Sequence, residues 1–131
     1  MTDDAPAEVA ELAGRLFDLA RGGDAEALAA YVDAGVPVNL TNGSGDTLLM
    51  LAAYHGHADA VRVLIARDAD VDRVNDRGQA PLAGAVFKGE DDVVRALLDG
   101  GADPLGGHPT AVDTARMFGR EDLLAVLLPP S

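Results

Sequence analysis

The chain repeats itself at a fixed interval of 33 residues, the separation of Gly45 and Gly78. Glycines recur at this interval as Gly45 and Gly78, and again as Gly23, Gly56 and Gly89. The same interval separates matching apolar positions, namely Leu16, Leu49 and Leu82, and also Leu28, Val61 and Val94. A period of this length is typical of solenoids, in which each unit buries its apolar face against the next one. We therefore expect a single domain of about four stacked units in these 131 residues.

Each unit carries the same order of local signals. Turn-forming residues fill positions 42–45 and 75–78, and short apolar segments follow them. Thr47 is suited to cap the start of one such segment, and Pro81 is suited to the first helical position of the other. A second segment, residues 59–67, carries apolar residues on one helical face. The predicted unit is therefore a turn, a short helix, a longer helix and a loop.

The composition favours packed helices over packed sheets. Apolar residues make up 48% of the chain, but aromatic residues make up only 4% and tryptophan is absent. The core must therefore be built from small aliphatic side chains, chiefly alanine, leucine and valine. Because such side chains let helices approach closely, the repeat and the composition together predict an all-α fold.

The charge of the chain excludes two classes of partner. Twenty-two acidic residues against ten basic ones give a net charge of −12. Such a surface repels nucleic-acid phosphates and anionic lipids, since binding either of them requires lysine or arginine. By the same argument, electrostatic steering favours a protein partner with a basic patch.

Three further sequence features bear on where the protein resides. The chain contains no cysteine, which excludes disulfides and thiolate metal sites. No apolar run approaches the roughly 18 residues of a spanning helix. Residues 1–5 contain Asp3 and Asp4 instead of the basic residues that begin a signal peptide. We expect residues 1–5 to be flexible and the protein to be cytoplasmic.

Several segments resemble the ankyrin repeat family. Residues 45–57 read GDTLLMLAAYHGH and residues 68–72 read DADVD, close to the family pattern GxTPLHxAAxxGH, an amphipathic helix and GADVN. Residues 78–82 (GQAPL) and 101–104 (GADP) repeat the resemblance, which covers residues 14–128.

The resemblance implies a solenoid of helix-turn-helix units with short hairpin-like fingers. The implied domain is residues 6–131, divided into units 6–38, 39–71, 72–104 and 105–131. The chain departs from the family at Met50 and Ala83, where the family has a histidine that links neighbouring turns. It also departs at Asp68, which occupies a left-handed position that the family gives to glycine. The last finger is shorter than the others by three residues.

No catalytic or metal-binding pattern stands out. The three histidines, His55, His57 and His108, lack further ligands at a characteristic spacing, and His57 coincides with the Gly-His turn of the family. The only serines are Ser44 and Ser131, so no Ser-His-Asp arrangement is indicated. We expect no enzyme activity, no cofactor and no metal site.

The resemblance also implies a partner-binding surface. In the family, the finger tips and the ends of the first helices line one concave face. The corresponding finger positions here are Thr41, Ser44, Asp46, Val74, Asp76, Arg77 and Gln79. The corresponding helix-end positions are Tyr54, His55, Phe87, Lys88, Met117 and Phe118. Tyr54, Phe87 and Met117 would form an apolar column, unless Phe87 and Phe118 turn inward to cover the core.

These observations predict that the chain is a non-catalytic module that recognises a partner protein through its concave face. We expect it to act as a monomer, with an acidic rim that attracts a basic patch on the partner. Two alternatives remain open. One is an acidic inhibitor or immunity-like protein that blocks a basic enzyme, whose binding would weaken steeply with salt. The other is a small enzyme or metal-binding protein that uses His55 and Asp46.

Overall fold

The computed structural model describes residues 4–128, which form eight α-helices. Their bounds are α1 Asp4–Gly22, α2 Ala25–Asp33, α3 Leu48–Tyr54, α4 Ala58–Ile65, α5 Pro81–Lys88, α6 Asp91–Asp99, α7 Ala111–Met117 and α8 Glu121–Leu127. Within residues 4–128 the only β-pairing is an isolated bridge between Thr41 and Thr47, so the fingers are turns without regular strands. Helix α1 begins at Asp4, inside the segment expected to be flexible. The rest of that segment, residues 1–3, lies outside the described residues, as do residues 129–131 of the last predicted unit.

The helices form two layers. The inner layer is α1, α3, α5 and α7, which pack side by side in that order, and the outer layer is α2, α4, α6 and α8. Alanines at the contacts between inner helices are fully buried, for example Ala52, Ala85 and Ala115. Because these side chains are small, neighbouring helices approach closely and each unit supplies a wall to the next. The predicted all-α repeat fold is confirmed.

The inner helices start as the sequence predicts. The Met50 N–H donates to Thr47 Oγ1 at 3.0 Å, and Pro81 is the first residue of α5. In the last unit, the Asp113 N–H donates to Thr110 Oγ1, also at 3.0 Å. These caps satisfy backbone donors that have no partner inside the helix.

After α2, α4 and α6 the chain passes through a left-handed residue. Gly35, Asp68 and Gly101 stand one repeat apart, with φ of 115°, 69° and 90°. Among the described residues, Asp68 is the only residue other than glycine that has a positive φ, a conformation that is strained for residues with a Cβ. A glycine at position 68 would therefore relieve this backbone strain.

Replacing Asp68 with glycine is expected to stabilise the protein by a few tenths to about 1 kcal/mol, because glycine adopts positive φ without strain. Urea unfolding followed by far-ultraviolet circular dichroism measures the change. Ala66→Gly is the matched control, since Ala66 has φ −60° and ψ −18°. Because Ala66 is already in a helical conformation, glycine at this position would only increase the conformational entropy of the unfolded state. Ala66→Gly should therefore destabilise the protein. A lower unfolding midpoint for Asp68→Gly than for the unmodified protein would contradict this account.

Hydrogen bonds between loops connect successive units. The Asp70 N–H donates to Asn39 Oδ1 and the Asp103 N–H donates to Asp72 Oδ1, both at 2.8 Å. The two donors are one repeat apart, and so are the two acceptors, so the same bond recurs between successive units. The chain thus connects its units through loop side chains, whereas Met50 and Ala83 cannot form the link that the family makes with histidine.

Ion pairs connect the outer helices. Arg67 binds Asp33 through Nε at 2.8 Å and Nη2 at 3.1 Å, and these hydrogen bonds hold the pKa of Asp33 below its usual value. Arg120 Nη2 lies 3.0 Å from Asp91 and 2.9 Å from Asp122, and its hydrogen bond likewise lowers the pKa of Asp122. These carboxylates belong to the outer layer or its loops, away from the inner helices.

Candidate protein-binding site

One buried asparagine organises the finger of the third unit. Asn75 is 6% exposed, and its Nδ2 donates to Asp46 Oδ1 and Gln79 Oε1, each at 2.9 Å. Its Oδ1 accepts from the backbone N–H groups of Arg77 and Gln79, each at 3.0 Å. Asn75 therefore holds its own turn closed and ties it to Asp46 of the preceding finger.

Neighbouring fingers also contact each other through the backbone. The Asp76 N–H donates to Ser44 O at 3.0 Å, and the His108 N–H donates to Gly78 O at 2.8 Å. Gly45 makes the first approach possible: its φ is +78°, and a Cβ there would lie 2.9 Å from the Asp76 nitrogen. The fingers therefore form one connected row.

An apolar groove lies on the inner helices α3, α5 and α7 and has a volume of about 200 Å³. Nine residues line it and define the apolar groove: Met50, Tyr54, Gln79, Ala83, Gly84, Phe87, Pro109, Thr114 and Met117. Its floor depends on Gly84, because a Cβ there would lie 3.3 Å from Met50 Cε and 3.6 Å from Tyr54 Cδ1. A larger residue at this position would fill the groove.

Three large apolar side chains are exposed beside this groove. Met117 is 67% exposed, Phe87 57% and Phe118 50%. The two phenylalanine rings contact each other edge to face, with centroids 5.7 Å apart. Because both rings are at least half exposed, neither is turned inward to cover the core.

A second groove, which we call the polar groove, adjoins the first and has a volume of about 330 Å³. It is lined by Arg21, Asn42, Ser44, Asp46, Met50, Leu51, Tyr54, His55, Asn75, Arg77 and Gln79. Met50, Tyr54 and Gln79 line both grooves. The apolar and polar grooves therefore share one wall.

Positive side chains dominate the charges at the polar groove. Arg21 and Arg77 line it, against a single lining carboxylate, Asp46. Lys88 Nζ lies 4.9 Å above the ring centroid of Tyr54, which is a cation–π contact. Asp46 is the single carboxylate in the lining of the two grooves, so the expected acidic rim is not part of that lining.

The predicted site residues divide into three groups. Those that line the polar groove are Ser44, Asp46, Tyr54, His55, Arg77 and Gln79. Those that line the apolar groove are Tyr54, Gln79, Phe87 and Met117. Thr41, Val74, Asp76, Lys88 and Phe118 line neither, although Lys88 contacts Tyr54 and Phe118 contacts Phe87.

Sequence reasoning missed part of both grooves. Arg21 is missed because it comes from the first unit, whose helix is not built like the others. Pro109 is missed because the last finger is shortened and departs from the repeat pattern, and Thr114 is missed because it lies in the middle of α7 and not at its end. Gly84 did leave a signal: a glycine inside a helix costs about 1 kcal/mol relative to alanine, so its presence indicates a close approach.

The histidines have structural or surface positions. His57 Nε2 lies 2.7 Å from Arg21 O and connects two units, and a Cβ on Gly23 would collide with its ring. His55 is exposed and packs edge to face on Tyr54. In the part of the chain that the structure describes, no three potential ligands gather into a metal site. No helix over residues 4–128 is long and apolar enough to cross a membrane.

Two layers of stacked helical hairpins joined by a row of fingers characterise one repeat architecture. The profile described as ankyrin repeats, in three copies, matches residues 16–105. This chain belongs to the ankyrin repeat family. The match runs from within α1 to just beyond α6, so the first part of α1 and the last unit lie outside it.

Two relatives agree with this assignment. A putative ankyrin repeat protein of Pseudomonas aeruginosa is 52% identical over 50 residues, which are 38% of this chain and 29% of that protein. The crystal structure of the human ASB11 ankyrin repeat domain matches with a TM-score of 0.74 and 28% identity, covering 86% of this chain and 52% of that one. This chain spans less than a third of the bacterial relative and about half of the human domain.

Ankyrin repeats are generally protein–protein interaction modules, and the family is typically non-catalytic. Membership therefore gives the general class of function for this ankyrin repeat chain. It names no partner.

Proposed function

We propose that this ankyrin repeat chain binds a partner protein through the face that carries the two grooves. One observation carries the proposal: Phe87, Met117 and Phe118 are each at least half exposed beside an apolar groove. Aromatic residues and methionine are enriched in the cores of protein interfaces. These three side chains are not part of the buried core, and their clustering beside a groove supports a role in recognition.

The groove suits a side chain of a protein better than a free small molecule. Its volume of about 200 Å³ is smaller than the roughly 300–1,000 Å³ of small-molecule pockets. Its walls stand on α3, α5 and α7, whose other faces are buried in the core. A partner is therefore expected to bind with little backbone rearrangement.

The chain is further proposed to act as a monomer in the cytoplasm, where a protein without cysteine loses nothing to reducing conditions.

A partner with a basic patch remains a prediction that rests on the net charge of −12. The same charge supports a second candidate, an acidic inhibitor that blocks a basic enzyme. Measuring affinity between about 50 and about 500 mM salt separates them: an inhibitor held by charge weakens steeply, whereas apolar anchoring is salt-tolerant.

The proposed function is tested by removing the exposed apolar groups. Phe87→Ala/Met117→Ala should keep the fold, since both side chains are more than half exposed, and should weaken partner binding at least about tenfold, as for central interface anchors. Proteins crosslinked to the tagged chain in its own cells are compared by quantitative mass spectrometry. Thermal unfolding of the purified variant checks the fold.

The matched control removes exposed apolar groups from the outer layer. Val126 and Leu128 are 47% and 44% exposed, at the end of α8. Val126→Ala/Leu128→Ala should retain the partners of the unmodified chain. If instead the groove variant retains them and the control loses them, the binding face has been assigned to the wrong layer.

A further inference from the structure

We propose that the two grooves select a partner segment in which a carboxylate side chain lies next to a large apolar side chain. This inference deepens the proposed function and depends on it. The apolar side chain enters the apolar groove beside Phe87 and Met117, and the carboxylate pairs with one of the two cations that flank α5, Arg77 before its start or Lys88 at its end. The partner chemistry is thus the opposite of what the total charge of the chain suggests.

The charge balance at the grooves supports this chemistry. The whole chain carries −12, yet the grooves have Arg21 and Arg77 in their lining and Lys88 beside them. The lining carboxylate, Asp46, already accepts a hydrogen bond from Asn75 at 2.9 Å. With Arg21 paired to Asp18, two cations, Arg77 and Lys88, stand against one carboxylate, Asp46. This small positive balance on an acidic protein favours a ligand group that carries negative charge.

Arg77 and Lys88 are the side chains available to such a group. Arg21 is paired with Asp18 at 2.9 Å, but among the side chains described over residues 9–128 neither Arg77 nor Lys88 forms an ion pair. Both side chains are exposed. An arginine can bind a carboxylate through two parallel hydrogen bonds, which adds geometric selectivity to the charge.

The shared wall allows one segment to use both grooves. Tyr54 lines the apolar groove and the polar groove, and Lys88 Nζ lies over its ring. An apolar side chain beside Tyr54 is therefore close to a lysine ammonium. Adjacent residues of one extended segment can satisfy the two environments together.

The test uses short peptides selected from a random display library on the immobilised chain. The expected peptides are enriched in aspartate or glutamate within two positions of phenylalanine, leucine or methionine. Their affinity, measured by fluorescence anisotropy, should fall at least tenfold in Arg77→Glu/Lys88→Glu. Selection of basic peptides, or of no peptides above background, would overturn the inference.

The matched control is Arg62→Glu/Arg95→Glu, which changes the net charge by the same amount on outer helices α4 and α6. The selected acidic peptides should bind this control within twofold of the unmodified chain. An equal loss in both variants would mean that total charge, and no site, governs binding, which also overturns the inference.

Phe87→Ala/Met117→Ala separates this inference from the proposed function. If selected peptides are basic but lose affinity in this variant, the groove binds proteins and only the inferred charge preference fails. If selected peptides keep full affinity in this variant, they bind elsewhere, and the proposed function fails along with the inference.

Discussion

Replacing Leu64 with alanine is expected to lower the free energy of unfolding by about 3 kcal/mol, within the range of leucine-to-alanine changes in protein cores. Leu64 is fully buried in α4, which packs against α2, α3 and α6. The truncation removes apolar contacts and leaves a cavity between two neighbouring units. Because α4 packs against helices of the units on both sides of its own, the effect should exceed that of a change in a terminal unit.

Urea unfolding measures this change, with Leu105→Ala as the control. Leu105 is 63% exposed on the last finger, and its truncation should alter stability by no more than about 0.5 kcal/mol. A similar loss for both variants would mean that the interior is not packed as described. A second unfolding transition in Leu64→Ala would show that the array has separated into two blocks at α4.

Asn75→Ala is expected to cost about 2–3 kcal/mol, because each buried hydrogen bond contributes about 1 kcal/mol and unpaired groups add a penalty. The substitution removes two donated and two accepted hydrogen bonds at one site. It leaves the backbone N–H groups of Arg77 and Gln79 without their partner. Urea unfolding again measures the effect, together with the affinity of any groove ligand.

Asn42→Ala is the comparison, since Asn42 occupies the same finger position one repeat earlier. Its Oδ1 accepts from the N–H groups of Ser44 and Asp46, but it is only partly buried. Its removal should cost about 1 kcal/mol. Equal costs at both positions would show that the link from Asn75 to Asp46 adds nothing to stability.

Most of the fold could be predicted because its signals are local and repeated. Thr47 and Pro81 indicate helix starts through capping and through the missing N–H, and both stand where expected. Gly35 and Gly101 indicate the left-handed turns, and Asp68 follows them in register. Each signal acts within a few residues, so no tertiary information is needed to interpret it.

The start of α1 was harder to predict. The helix begins at Asp4, whereas residues 1–5 read as a flexible end. A terminal unit lacks the turn and cap that mark the other helices, so the sequence offers no boundary there. Apolar periodicity shows that a helix exists but not where its first turn forms.

The candidate site could be predicted only in part. The resemblance to the ankyrin family, applied in repeat register, assigned Tyr54, Phe87 and Met117 to one face, and all three line the apolar groove. The charge of that face could not be predicted, because a net charge says nothing about where charges lie. Arg21 and Arg77 belong to different units, far apart in sequence, but line the same groove.

The sequence by itself determined that this chain is a stack of four helical hairpins, since a short module repeated at one spacing must bury its apolar face against its neighbours. Only the tertiary structure decided which groups share a surface. Grooves form where side chains of successive units meet, and their volume, exposure and charge depend on distances that no local pattern encodes. Gly84 shows the difference: the sequence records a glycine, and the packing of Met50 and Tyr54 makes it the floor of a groove.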